Sequence, residues 1–269
     1  MKRKINKKVL FLTAYAILML MFFLYARFPG KAVEDYILAV QAERYPGMFI
    51  ALGSATLSFP PGLKLENVSV GLKDNVDANI RLDSLAARPR FLGYISGQPS
   101  FLVNARAYDG VISGVAPVSY FSRKKSSAKA EFKFEGLTLE KCAFLKDKLG
   151  RRIAGKLGGS FVYGDSGQLD FTARNGSYQL LESLSGLDKL DFNTVEGQIG
   201  IRGGVITINK LRLKGDKINC SIKGDITLKD DIRNSEVNLS GAMEIVSLNN
   251  KKVSMLIRGT IGNAVIRYI

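Results

Sequence analysis

Residues able to carry out acid–base or nucleophilic chemistry are few in this chain. Histidine is absent, which removes a Ser-His-Asp triad, the usual transition-metal ligands and the commonest general base. The two cysteines, Cys142 and Cys220, fit no CxxC or zinc-type spacing; they are either small buried hydrophobes or a disulfide pair in an oxidising compartment. Glu131, Glu135 and Asp165 are typical of solvated strand and turn residues. We therefore predict no enzyme, no catalytic residue, no cofactor and no metal site.

An apolar segment near the N-terminus, residues 9–26, carries no charge over eighteen positions. As a helix it covers about 27 Å, close to the thickness of a bilayer's hydrocarbon core. A cleaved signal peptide has a shorter apolar region and a small-residue cleavage site, whereas this segment continues into Arg-Phe-Pro-Gly at 27–30. We predict an uncleaved membrane anchor. Its residues are Val9, Leu10, Phe11, Leu12, Ala16, Ile17, Leu18, Leu20, Phe22, Phe23, Leu24 and Ala26.

Charge around this segment predicts its orientation. Five basic residues precede it, and only Arg27 and Lys31 closely follow. Because positive charge is enriched on the cytoplasmic side, the N-terminus is expected to be cytoplasmic and the rest of the chain to lie outside the cytoplasm. The net charge is +15, but the charges after the anchor are scattered. We expect a solvated face near anionic headgroups, with the membrane as a partner and no nucleic acid.

The predicted fold class is mainly β. A single N-terminal transmembrane helix and a short linker helix precede a curved antiparallel β-sheet or sandwich with one or two short helices. The domains are expected at 1–28 (basic tail and transmembrane helix), 29–46 (amphipathic linker helix) and 47–269 (β-rich domain). In the linker, Val33, Tyr36, Ile37 and Val40 share one side. This helix either docks on the β domain or lies on the membrane surface.

Local signals refine the β domain. A phase change in the apolar alternation at Asn67 predicts a bulge or bend, and residues 108–110, Tyr-Asp-Gly, predict a tight turn. A helix is predicted from Thr138 to a stop at Gly150, and a weaker one over 177–187. Residues 120–129 are predicted to form a surface loop.

The alternation is clearest after residue 200, where it predicts an antiparallel meander with one apolar and one wet face. Such a face is either the core of a sandwich or a groove for a ligand such as a lipid chain. The residues of this predicted groove or core face are Ile206, Ile208, Leu211, Leu213, Ile218, Ile222, Val237, Leu239, Met243 and Ile245.

Several local patterns together resemble a known family. In chain order they are the basic tail and anchor, Phe-Pro at 28–29, Phe-Pro-Pro-Gly-Leu-Lys-Leu-Glu-Asn-Val-Ser-Val at 59–70, residues 80–85 followed by Leu-Gly at 92–93, Tyr-Asp-Gly-Val-Ile-Ser-Gly at 108–114, Gly-Lys-Leu-Gly-Gly at 155–159, and the closing meander. This combination resembles type II secretion system protein N, the general secretion pathway N family. AsmA-like envelope proteins share similar patterns, although Asp109 stands here where their motif has a glycine.

The resemblance implies a non-enzymatic accessory or structural component of a type II protein secretion system. Such a protein is single-pass in the cell inner membrane, with its C-terminal β domain in the periplasm and other secretion-system subunits as partners. The AsmA-like features imply the alternative, a lipid-binding or lipid-transfer protein of the cell envelope.

Overall fold

The computed structural model describes residues 7–58, 61–73, 75–95, 97–118, 129–142, 152–184, 187–229, 231, 234–246 and 251–268. The helices in these parts of the chain are α1 (Lys7–Ala26), α2 (Gly30–Arg44) and α3 (Phe91–Ile95), with a 3-10 turn at Leu139–Lys141. The strands are β1 (Met48–Ala51), β2 (Ser54–Ser58), β3 (Gly62–Leu72), β4 (Asn75–Pro89), β5 (Ser100–Ala107), β6 (Gly110–Pro117), β7 (Ala130–Thr138), β8 (Ile153–Tyr163), β9 (Gly167–Leu184), β10 (Leu187–Arg202), β11 (Val205–Lys214), β12 (Ile218–Thr227), β13 (Glu236–Ile245), β14 (Lys251–Thr260) and β15 (Asn263–Tyr268).

All fifteen strands belong to one curved antiparallel sheet. From β3 to β15 each strand pairs with the next one along the chain, while β1 and β2 both pair with β3. The prediction of a mainly β, antiparallel meander is confirmed. Of the two predicted architectures, the single curved sheet is observed, and a second sheet that would make a sandwich is absent from the described residues.

The chain is far from compact. Its accessible surface is 18910 Å² at a mass of 29.5 kDa. A compact globular protein of that mass exposes about 11,500 Å². A single-layer sheet, whose strands keep much of both faces accessible, and the exposed helix α1 both contribute to this excess.

Turn and bulge residues shape this sheet as the sequence predicts. Tyr108 and Asp109 have φ of 51° and 63°, the backbone of a two-residue hairpin turn whose twist matches that of the strands. Asn67 also has a positive φ, 51°, so Leu65 and Val68 on either side both pack into one apolar cluster. In β11 the pairing with β12 shifts between Ile208 and Leu211, a bulge that keeps both residues on one face.

Helix α2 docks on the first strands of the sheet. Val33 and Ile37 pack against a buried cluster of Ala55, Leu65 and Val68. The Glu34 carboxylate accepts a hydrogen bond of 2.8 Å from the backbone N–H of Ala55. Docking, one of the two predicted outcomes for the linker helix, is therefore observed.

The predicted linker stripe is wrong at one position. Tyr36 is 69% exposed, because the contacts of α2 with β1 and β2 use a narrower side of the helix than the periodicity indicated. The buried polar residue of α2 is instead Gln41, whose side-chain amide donates a 2.7 Å hydrogen bond to the carbonyl of Met48.

Helix α1 keeps its described side chains exposed. These include ten of the predicted anchor residues; Ile17 and Leu24 have side chains outside the described set. When the described residues are searched, none of the helices proves both long and apolar enough to span a membrane.

Two helix predictions need correction. The start of the helix expected from Thr138 to Gly150 is a 3-10 turn at Leu139–Lys141 that ends at Cys142, and the rest of this prediction lies on residues 143–150, outside the described part. The helix expected over 177–187 is wrong, because β9 continues to Leu184 and Tyr178 pairs with Leu190 of β10. Strand pairing there outweighs the local helical pattern. The predicted loop at 120–129 falls almost wholly on residues that are not described.

Candidate functional site

The candidate functional site is one continuous face of the sheet. Directly paired residues on neighbouring strands point to the same side. Ile206 pairs with Ile226, Leu213 with Cys220, and Leu239 with Ile257. Following these pairs places all ten predicted groove or core residues on this side, which we call the apolar face.

A single row of paired residues runs along the apolar face across fourteen strands, from β2 to β15. At a strand spacing of about 4.8 Å the row is about 62 Å long. It contains no charged residue, and its one side-chain polar group is the hydroxyl of Tyr268. This central row is Ala55, Leu65, Leu85, Ala105, Ile112, Phe134, Gly159, Phe171, Gly197, Leu211, Ile222, Gly241, Met255 and Tyr268.

The sequence analysis located only the C-terminal part of this row. Between β5 and β10 the row is occupied at several positions by glycine or alanine, such as Ala105, Gly159 and Gly197. These small residues weaken the apolar alternation on which the sequence analysis relied. The signal that remained was the spacing of Phe132 with Phe134 and of Leu169 with Phe171.

Phenylalanine rings lie over glycines of the neighbouring strand in the middle of the row. A Cβ atom added to Gly197 would stand 2.1 Å from a ring carbon of Phe171, and one added to Gly159 would stand 2.8 Å from the ring of Phe134. Aromatic cover of a strand glycine compensates for the side chain that the glycine lacks. The rings thus form the floor of the apolar face here.

This packing predicts unequal effects of two alanine substitutions in β10. Gly197→Ala is expected to lower the free energy of unfolding by about 1–3 kcal/mol, because the new methyl group displaces the Phe171 ring. Gly200→Ala is the matched control, since its Cβ would meet no atom closer than 3.8 Å. Urea denaturation followed by circular dichroism measures both, and equal midpoints for the two variants would contradict the ring-over-glycine arrangement.

The opposite face of the sheet is polar and charged. Glu196 and Lys210, on the adjacent strands β10 and β11, form an ion pair of 2.7 Å. The hydrogen bond and charge of Lys210 hold the pKa of the Glu196 carboxyl below its usual value. Glu131 and Glu135 are exposed on β7, and Asp165 is exposed in the turn before β9, as predicted. Water therefore solvates this side of the sheet, and the apolar side is the one that requires a cover.

Within the described residues, the chain itself covers the apolar face in two places. Helix α2 covers its first strands. Farther along, the Leu139–Lys141 turn places Leu139 in a buried cluster with Ala173 and Phe192. Lys141 pairs with Asp109 at 2.6 Å.

The remaining large apolar side chains are mostly half-buried. They include Ile206, Leu211, Ile222, Leu239 and Met243. Among the buried hydrophobic residues of the described chain, six are alanines, which are the easiest residues to bury within one layer. Half-burial indicates that the side chains pack on their neighbours in the sheet without a second layer over them.

The Asp109–Lys141 pair predicts a pH dependence. The hydrogen bond from Lys141 lowers the pKa of the Asp109 carboxyl from its ordinary value. The ionised carboxylate therefore stabilises the folded chain at pH values above the pKa of the unfolded chain, near 4. This stabilisation is lost as pH falls through the lower pKa of the folded chain. Asp109→Asn tolerates the positive φ but removes the charge. Its urea midpoint is expected below that of the unsubstituted chain at pH 7, with a difference that becomes smaller as pH falls below about 4. Asp165→Asn, in an exposed turn, is the control; a pH-independent difference for Asp109→Asn would contradict the ion pair's role.

The two cysteines are free and half-buried. Cys220 lies on the apolar face, and burial raises the pKa of its thiol. They therefore match the buried-hydrophobe alternative of the sequence analysis and not the disulfide. No group of three potential metal-ligating side chains occurs among the described residues.

Together the fold and this surface define a single-layer antiparallel meander with one apolar and one charged face. Comparisons with protein-family models, with curated proteins and with solved structures gave no match to this chain.

Proposed function

We propose that the apolar face binds the acyl chains of lipids, and that the protein is a lipid-binding or lipid-transfer protein held at the cell inner membrane with its sheet in the periplasm. The observation that carries the proposal is the central row, which is apolar across fourteen strands. Most large side chains of this row stay partly accessible, and a partner for this face is expected because soluble proteins rarely leave large contiguous apolar patches in contact with water.

The chemistry of the face favours hydrocarbon over a peptide. A bound peptide would bury its backbone N–H and C=O groups against the central row, which offers only the Tyr268 hydroxyl as a side-chain partner for them. An unpaired buried amide costs several kcal/mol in an apolar environment. Acyl chains have no polar group to satisfy, and their flexibility suits a surface that mixes large and small side chains.

The membrane tether is part of the same proposal and draws on α1. Its sequence has no charge from Val9 to Ala26, and its described side chains are exposed to the surroundings. A tether of this kind holds the apolar face close to a supply of lipid, which is a requirement for loading it.

Photocrosslinking tests the lipid proposal directly. Benzoylphenylalanine replaces Leu239 on the apolar face in one sample and Asn238, its neighbour on the opposite face, in the other. The full chain is expressed in membranes that contain radiolabelled phospholipid and is then irradiated. We expect lipid adducts at position 239 and none at 238. Equal labelling, or no labelling at 239, would contradict the proposal.

The second candidate is a structural or accessory component of a type II secretion system, and the exposed strand β15 favours it. Among the described strands β15 pairs with β14 alone, and its six side chains are exposed. An open edge strand accepts a strand from another protein by backbone hydrogen bonding.

Two experiments test the second candidate. Benzoylphenylalanine in place of Val265 is expected to crosslink to a secretion-system subunit. Deletion of the gene is expected to reduce the secretion of exported enzymes. Normal secretion without a crosslink would rule this candidate out.

A further inference from the structure

We infer that α3 is a second membrane-contact site, which inserts Phe91, Leu92 and Ile95 into the surface of the bilayer that holds α1. This inference rests on the proposed membrane tether and adds a second contact to it. The ligand is the surface of a lipid bilayer that contains anionic headgroups.

Three large apolar side chains of α3 face solvent. Phe91 is 64% exposed, Leu92 is 73% exposed and Ile95 is 84% exposed. Single exposed hydrophobic residues are common, but three within a five-residue helix form a patch. This helix follows the end of β4 and is not part of a strand, so no strand pairing accounts for its apolar residues.

The segment that carries the patch is held by its own backbone. The N–H of Arg90 donates to the carbonyl of Ser100 at 2.9 Å, and the N–H of Gln98 donates to the carbonyl of Gly93 at 2.8 Å. Gly93 itself is buried, and a Cβ there would stand 2.6 Å from the Gln98 oxygen. The backbone of this segment is therefore held by its own hydrogen bonds and by the close contact at Gly93, while its three apolar side chains remain exposed to solvent.

The exit of α1 lies near the patch, about three residues or 10 Å along the strands from the end at which α3 follows β4. Gly30, just after α1, packs so closely on Ala55 of β2 that a Cβ there would be 2.4 Å from the Ala55 oxygen. Strand β2 then runs to Ser58, which pairs with Gly62, and Gly62 lies against Arg88, close to the start of α3. Two strand spacings, about 10 Å, separate β2 from β4.

The charges around both elements suit an anionic surface. Arg90 is exposed beside the patch, and Arg27 and Lys31 are exposed beside the end of α1. The sequence contains no acidic residue between Asp83 and Asp109. Apolar residues flanked by basic ones are the pattern of segments that lie in the interface of anionic membranes.

Depth-dependent fluorescence quenching in the full chain tests the inference. Cys142→Ser and Cys220→Ala remove the native thiols, and a single cysteine labelled with the fluorophore NBD is placed at Leu92. The protein is reconstituted in vesicles of phosphatidylcholine and phosphatidylglycerol, 7:3, that contain spin-labelled lipid. Val111→Cys, labelled in the same way, is the matched control, because Val111 is also exposed (49%) but lies within β6. Circular dichroism verifies that each variant keeps its strands.

We expect the lipid quencher to reduce emission at position 92 at least threefold more than at position 111. Equal quenching by the spin-labelled lipid at positions 92 and 111 would overturn the inference. A label at position 92 that is shielded from water but not quenched by the lipid would also overturn it, because a protein would then cover α3. A third label, at Leu18 of α1, reports the tether separately. Quenching at 18 but not at 92 refutes the α3 contact alone, whereas an unquenched label at 18 refutes the tether on which the inference rests.

Discussion

Ile222→Glu is expected to reduce lipid crosslinking from position 239 at least tenfold. Ile222 lies in the central row between Leu211 and Gly241, and a carboxylate there would have to be desolvated by each bound acyl chain. A tenfold loss corresponds to about 1.4 kcal/mol of binding free energy, well below the cost of burying a charge in hydrocarbon. Adduct yield per chain, measured after irradiation of membranes with labelled phospholipid, gives the ratio.

Ser221→Glu is the control for this substitution. Ser221 is the preceding residue of β12 and is exposed on the charged face, where it pairs with Arg212, so the added carboxylate leaves the apolar face unchanged. We expect the far-ultraviolet circular dichroism of both variants to match that of the unsubstituted chain. If Ile222→Glu instead unfolds the protein while Ser221→Glu does not, the apolar face is a closed core and the lipid proposal fails.

Leu139→Ala is expected to lower the free energy of unfolding by about 2–4 kcal/mol. Leu139 is 5% exposed and belongs to a buried cluster with Ala173 and Phe192. Truncation of a buried leucine removes its transfer free energy and leaves a cavity. The midpoint of urea denaturation, followed by circular dichroism at a fixed detergent concentration, measures the change.

Glu140→Ala tests whether this effect belongs to the apolar contact. Glu140 is the next residue of the same turn and is exposed, so its truncation is expected to change stability by no more than about 0.5 kcal/mol. A midpoint shift of the same size in both variants would show that Leu139 contributes no more than a surface residue, and that the turn does not cover the apolar face.

The alternation of apolar and polar residues carried most of the information on the fold. After residue 200 the intervening positions are mostly polar, such as Lys, Asn, Thr and Ser, and the strand register places the ten predicted residues on one side of the sheet. The phase changes at Asn67 and between Ile208 and Leu211 also correspond to real irregularities of the backbone. The periodicity of apolar residues indicates which side of a strand is apolar. It can be recognised from the sequence because it depends only on neighbouring residues of the same strand.

What the sequence left open depends on contacts between distant or ambiguous segments. The sequence did not distinguish one layer from two, because a sandwich core and an open sheet require the same alternation. Residues 177–184 have a local helical pattern, and only their pairing with β10 makes them a strand. Helix α3 escaped prediction because five residues interrupted by Gly93 are too few to show a helical period.

Because strand order in the sheet follows strand order in the chain from β3 to β15, this part of the molecule resembles a one-dimensional array in which each hairpin pairs with its neighbours. The stability of such arrays is close to a sum over adjacent units. A hairpin can therefore be gained or lost without threading the chain through a new topology. Each such event changes the reach of the protein by two strand spacings, about 10 Å, so the distance it covers is set by how many hairpins the chain encodes.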